Sequence, residues 1–298
     1  MDSSENNSPF SEQKASKKED EFYIGWMGQA PAGLAKFLRN YLLLLFLAIA
    51  IIGVTIAISQ KKFSTSNFEY GTLTNVKGVY FDKPVPVLKA IAGEDLFGNL
   101  SYITMPLVGY GKHGADGIIS EIEKEKNISL NQKEVTFKGT LLYHDGKTIL
   151  QIDGNDKPLL NVTTKVVDKE FLPVAHELGV QKIRGEIIDP KCYFGVMKPG
   201  EGKPHRDCAI RCILGGIPPV LAVRNEKGEA NYYLIVGPNG EKMNEQVQDF
   251  VAEPVELEAR VVRYDDWIVL YTKGKENIQR IAGLSLVRPG VDTLVAHL

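Results

Sequence analysis

Cysteine is scarce in this 298-residue chain, and the three present, Cys192, Cys208 and Cys212, all fall within one short stretch. No C-x-x-C occurs, so the usual thioredoxin-like pair is missing, and no C-x-x-C-H occurs, which excludes a c-type haem attachment. Charge of one sign is not in excess either. With 35 basic and 37 acidic side chains the net charge is −2, so there is no electrostatic footprint for DNA or RNA, and nucleic acid is not an expected partner. The Gly-rich loop GYGKHG around His113 has neither the Walker A nor the dinucleotide spacing. No Ser-His-Asp elbow and no acid/base pair of carboxylates stands out, so no catalytic residue is assigned. Beyond residue 66 no long amphipathic helix is evident.

What is present begins with a segment that resists burial. Residues 1–20, MDSSENNSPFSEQKASKKED, hold almost nothing apolar and read as a disordered tail. Residues 21–40, with Trp26, Pro31 and a basic end, suit a juxtamembrane segment lying at the membrane surface, a helix lead-in, or a docking strip for another membrane subunit. Tyr41 to Ser59, YLLLLFLAIAIIGVTIAIS, carries no charge. At about 1.5 Å per residue it matches a hydrocarbon core of roughly 30 Å, so 41–60 is expected to be a single transmembrane helix. The polar lead of 40 residues is too long for a usual signal-peptide n-region, which favours an uncleaved anchor. The nearest flanking charges do not decide orientation. Because long domains translocate largely regardless of charge, a signal-anchor with a short cytoplasmic N-terminus and an exported remainder is the simpler arrangement. The bilayer and a membrane-protein complex are the expected partners.

The rest is rich in short alternating runs, VTFKGTL at 135–141 and VELEARV at 255–261 among them, which read as strands. Asp145-Gly146 and Asp265-Asp266 sit where hairpin turns belong. The two hairpins align without a gap, Val135–Gln151 over Val255–Tyr271. KGVYFD at 77–82 matches RGEIID at 184–189, and LVG at 107–109 matches IVG at 235–237. Three landmarks in one order point to a duplicated small β-barrel or sandwich. The expected layout is β-domain 1 over 66–160, a linker over 161–180, β-domain 2 over 181–275 and a C-terminal extension over 276–298. From Gly78 to Gly109 is 31 residues, whereas from Gly185 to Gly237 is 52. The longer interval holds every cysteine, so the chemistry reads as an insertion in the second copy.

That insertion carries the pattern C-x12-H-x2-C-x3-C. HRDCAIRCILGG is expected to form a short helix after Pro204 and to end at Gly215-Gly216, setting His205, Cys208 and Cys212 on one face. With Cys192 from the preceding strand end they make three thiolates and one imidazole, a complete tetrahedral set for zinc; soft sulfur also suits Cu(I). Asp189 and Asp207 are candidates to orient His205 by hydrogen bonds, or else are a turn residue and a helix-start residue. Two other readings stay open. Cβ atoms four apart on a helix lie about 5–6 Å from each other, and a disulfide needs about 3.5–4.5 Å. Cys192 would therefore be the partner in any disulfide, leaving one free thiol beside His205 in a plain interaction module. Alternatively Cys208 or Cys212 is the nucleophile of a thiol oxidoreductase. His144, beside a turn, reads as solvated, His113 sits in the Gly-rich loop, and His176 and His297 have no visible partners.

The stretch Arg184–Tyr271 resembles a group of small, largely uncharacterised bacterial exported domains with the pattern D-x-x-C-Y, H-x-x-C-A-x-x-C and G-x-P. Asp189, Cys192, Tyr193, His205, Cys208, Ala209, Cys212, Gly216 and Pro218 carry the likeness. Ala259 stands where that group usually has Gly. The resemblance implies export across the bacterial inner membrane into the periplasm and an OB-like barrel; it implies no activity. The layout of short tail, one helix and outer barrel is also similar to the haem chaperone of cytochrome c maturation, whose haem-binding His motif this sequence lacks. The combined expectation is a mainly β, single-pass membrane protein with two tandem OB-like domains, acting as a non-catalytic metal-binding accessory of a membrane redox or metal-handling complex.

Overall fold

A computed structural model describes residues 32–60, 66–94, 96–154, 157–167, 171–225 and 229–282. The expected tail, 1–20, and residues 21–31 of the juxtamembrane segment lie outside the described residues, as do 283–298 of the C-terminal extension and His297.

Helix α1 runs over Ala32–Gln60, starting ahead of the uncharged run and taking in AKFLRN. Its Gly33–Ile58 portion has a mean hydropathy of 2.9. A helix apolar on all sides belongs in the core of a large protein or in a membrane, and this one is long and apolar enough to cross a membrane. Thr55, within the run, returns its hydroxyl to Ile51 O at 2.8 Å, which satisfies that donor inside the helix.

The remaining chain, from Thr65, forms a second compact unit. In it β2(Thr74–Phe81), β3(Val87–Glu94) and β4(Leu100–Val108) make an antiparallel meander. Next come α2(Asp116–Lys126), β5(Lys133–His144) and β6(Lys147–Ile152). β5 pairs with both β2 and β6, and β6 lies parallel to β4, which closes five strands into a barrel in the order β2-β3-β4-β6-β5. The second copy repeats this with β8(Ala175–Ile188), β9(Val220–Arg224), β10(Ala230–Val236), β11(Pro254–Tyr264) and β12(Trp267–Tyr271). Its closed order is β8-β9-β10-β12-β11. Both have the strand order of an OB-like barrel, with a helix between third and fourth strands: α2 in one, the short α4(Asn244–Val247) in the other. Three strands extend the sheets from outside: β1(Asn67–Phe68) and β7(Leu159–Val166) on β5, and β13(Ile278–Arg280) on β11.

The three landmarks of the duplication fall on equivalent strands. KGVYFD ends the first strand of its barrel and RGEIID the first strand of the other; LVG and IVG end the third strands. The shared glycine has a steric cause. A Cβ on Gly78 would lie 2.6 Å from Lys89 O, and one on Gly185 would lie 2.6 Å from Ala222 O. In each barrel the first strand crosses the second too closely for a side chain. Asp145 and Gly146 both have positive φ (46° and 76°) in the β5–β6 turn, as a two-residue hairpin requires.

Two expectations fail here. The stretch 161–180 is not a free linker: it supplies most of β7, which pairs on β5, and the first part of β8, which pairs on β11. Its polar alternation hid strands that are exposed along much of their length. Helix α2 was missed because DGIISEIEKEK buries only Ile119 and Ile122, too sparse a stripe for a periodicity search.

Each barrel has its own apolar core, one around Leu88, Leu107, Phe137 and Leu150 and the other around Ile187, Leu221, Leu257 and Leu270. A third cluster joins them at the seam, where Val79, Phe81 and Leu142 of the first barrel meet Tyr193, Phe194, Tyr232 and Trp267 of the second. Trp267 Nε1 donates to Thr104 O at 2.8 Å across that seam. Cys192 and Cys212 belong to the seam cluster.

Candidate metal centre

The connection from β8 to β9 occupies 189–219, where the first barrel spends only 82–86 on the equivalent turn. It opens with Asp189, fully buried, whose Oδ1 accepts the Lys191 amide at 2.9 Å. The backbone then winds through a wide helical turn, Cys192–Val196, with Tyr193 N donating to Asp189 O and Met197 N to Cys192 O. A 3-10 turn, Lys203–His205, leads into α3(Arg206–Leu214). Helix α3 buries Ala209, Cys212 and Ile213, the spacing of one helical face, and leaves Cys208 half-buried beside them. Asn244 ties the end of α3 to the chain beyond it: its Nδ2 donates to Ile213 O, in the last turn, at 2.6 Å and to Ile217 O, past the helix, at 2.8 Å, satisfying one of the carbonyls a helix end leaves free. Its first turn is held by Arg206 on Glu253 and on Asp249 O.

The other barrel completes the arrangement. The loop after β4, GYGKHG, packs on the end of α3: Gly114 N donates to Gly215 O at 2.9 Å. A Cβ on Gly114 would lie 2.2 Å from Gly216 O, and one on Gly215 would lie 1.8 Å from Lys112 O. Only glycine on both sides permits backbone against backbone. The contact delivers Lys112, whose Nζ stands 2.8 Å from Cys208 Sγ and 3.8 Å from Cys212 Sγ. From the opposite side Lys191 Nζ donates to Gly109 O at 2.8 Å and Gly111 O at 2.6 Å, bracing the same loop.

The sulfurs of Cys192, Cys208 and Cys212 lie within 4.8 Å of one another. A second group shares one member: donor atoms of Asp189, Cys192 and His205 also lie within 4.8 Å of one another. Either group could hold a metal ion. His205, at the end of the 3-10 turn that leads into α3, stands with Asp189 and Cys192 in the second group. Asp207 is exposed on the first turn of α3, which fits its reading as a helix-start residue. All three thiols are free.

The buried groups of the site are shifted toward their neutral forms. The Cys192 thiol is pushed well above its ordinary range, first by its hydrogen bond with Cys212 and then by burial and the neighbouring Asp189. Burial pulls His205 down and brings Lys191 to about 8, against the partly compensating pull of Asp189. Lys112 is raised, above all by its hydrogen bond to Cys208. Two buried atoms, Asp189 Oδ2 and His205 Nε2, have no hydrogen-bond partner among the described residues. Such orphans are costly, and both sit in the second donor group.

Sequence reasoning missed both lysines. Lys191 lay inside the Asp189–Cys192 spacing, and Lys112 inside the glycine-rich loop; no pattern ties Lys112 to a sulfur of the other barrel or Lys191 to that loop's carbonyls. His144 was misplaced. It is buried, 3% exposed, packed by Tyr193, Phe194 and Tyr232 with ring centroids 5.1 to 5.8 Å away. The β5–β6 hairpin inserts its tip into the seam, where Tyr232 donates to Asp145 Oδ2 at 2.9 Å.

Fold and site together define a class: a tandem OB-like double barrel with a cysteine cluster between its barrels, in a chain that also carries an apolar N-terminal helix. No protein-family profile matches the sequence, and no curated protein is significantly similar to it.

Proposed function

We propose that the chain is a single-pass membrane protein of the bacterial inner membrane, its N-terminus cytoplasmic and its double barrel extracytoplasmic, that holds a thiophilic metal ion, Zn²⁺ or Cu(I), between its barrels. One observation carries the reading: the three sulfurs lie within 4.8 Å of one another. Two sulfurs on a tetrahedral zinc are separated by about 3.8 Å when Zn–S is about 2.3 Å, so a modest inward movement of the side chains suffices. His205, next to Cys192, is the fourth donor in the simplest version. Lys112 offsets thiolate charge and donates to Cys208 whether or not an ion is present. Burial of Asp189, Cys192, His205 and Cys212 leaves no approach for a substrate to the deepest donors, which favours a non-catalytic role. The likeness of 184–271 to exported domains supports the extracytoplasmic placement, and an anchor joined to a metal site suits an accessory of a membrane redox or metal-handling complex.

The test is metal content. The full chain, purified in detergent without oxygen, is expected to carry bound metal that is lost in Cys192→Ser, with its thiols titratable only after chelation. Three freely titrating thiols and no metal in a folded chain would sink the reading. The half-buried Cys208 beside the Lys112 ammonium favours a second one, a thiol oxidoreductase. Fast alkylation at one thiol in a metal-free chain, abolished by Cys208→Ser, would select it.

A further inference from the structure

The placement of His205 bears on how many ions the site takes. The donors fall into two groups with one common atom, Cys192 Sγ. One group is all sulfur. The other offers a carboxylate, a sulfur and an imidazole, each on a residue at most 3% exposed. In that second group Asp189 Oδ2 and His205 Nε2 lack any hydrogen-bond partner among the described residues. A buried carboxylate oxygen and a buried imidazole nitrogen are each costly when unpartnered, and here both residues place a donor atom within 4.8 Å of the same sulfur. A cation between them satisfies both at once.

We infer that the seam holds a dinuclear centre: one ion on Cys192, Cys208 and Cys212, a second on Asp189, Cys192 and His205, with the Cys192 thiolate bridging. This rests on the metal-binding reading above. The donor chemistry restricts the second ion. Carboxylate oxygen with imidazole suits Zn²⁺ and is a poor set for Cu(I), which prefers thiolates and thioethers. Three thiolates and one carboxylate neutralise two divalent ions, so a buried pair of Zn²⁺ leaves no uncompensated charge in its own donor set. Bridging requires Cys192 as the thiolate, so loading of the centre releases protons.

The experiment loads the full-length, fully reduced chain in detergent with Zn²⁺, removes excess by gel filtration, and counts zinc per chain by elemental analysis. Two zincs per chain are expected. His205→Ala and Asp189→Asn each reduce this to one, Cys208→Ser also leaves one, and Cys192→Ser leaves none. With Co²⁺ in place of Zn²⁺, sulfur-to-metal charge-transfer absorption survives in His205→Ala, and the wild-type moment falls below that of two isolated ions because a shared thiolate couples them. Should the wild-type chain bind one zinc only, the dinuclear inference is overturned while the metal-binding reading stands. Binding of none overturns both. The wild-type count is sufficient by itself, so a variant that circular dichroism shows to be unfolded leaves the test intact.

Discussion

Substituting Gly114 by alanine tests how the two barrels are joined. Gly114 lies in the loop that carries Lys112, and its φ is not among the positive ones, so alanine meets no torsional penalty there. The cost is purely steric. The new Cβ would sit 2.2 Å from Gly216 O and 2.6 Å from Gly216 C, and both are backbone atoms that no rotamer change can move. Loop and helix end must separate by about 1 Å to restore van der Waals contact, a displacement that costs about 1–3 kcal/mol in a packed site. The same movement breaks Gly114 N–H to Gly215 O, stranding a buried pair for about 1–3 kcal/mol more. A loss of about 2–5 kcal/mol is therefore expected. Gly117→Ala, three positions on and within α2, is the control. Its Cβ meets nothing within 4 Å, so it should stabilise by about 0.5–1 kcal/mol. Urea unfolding of the detergent-solubilised chain with chelator present reads both, using Trp267 at the seam as reporter in a Trp26→Phe background. A Gly114→Ala chain within about 0.5 kcal/mol of wild type, the range of an inconsequential surface change, would refute the close backbone contact on which delivery of Lys112 depends.

Three further outcomes are expected. Lys112→Met should weaken zinc binding about 10–100-fold, the usual effect of removing a hydrogen-bonding group behind a metal ligand, as measured by competition with a chromophoric chelator; an unchanged affinity would show that the lysine is incidental. His144 and His205 are both held neutral by burial. The unfolded chain thus binds more protons below about pH 6.5, and stability is full above that value and declines as pH falls. His144→Phe should remove up to one proton from this acid limb, flattening it by as much as about 1.4 kcal/mol per pH unit between about pH 5 and 6.5 in chelator-treated protein; an unchanged slope would place the histidine in solvent. Finally, the full chain should stay with membranes through alkaline carbonate washing while a chain lacking 32–60 is released, and an enzyme reporter fused after Leu298 should be active outside the cytoplasm; activity inside the cell would reverse the proposed orientation.

The residues themselves determined a good deal. The apolar run of α1 is unmistakable because membrane-spanning length and absence of charge are properties of consecutive residues. The duplication was legible because strand alternation, hairpin turns and the Gly at 78 and 185 are local demands, each set by a neighbour within one barrel. The short cysteine-bearing helix was legible for the same reason, through its glycine-proline stop. Tertiary structure alone decided the rest. The grouping of His205 with Asp189 and Cys192 comes from how the folded insertion is packed, not from the spacing of its residues. His144 reads as a turn-side histidine until the second barrel closes over the hairpin tip. Lys112 reaches the sulfur cluster, and Lys191 the loop that carries Lys112, only because two glycine-lined backbones meet across the seam. A pattern along the chain reports contacts with near neighbours; charge and donor geometry at a seam between domains are set by residues far apart in sequence, and only their packing brings them together.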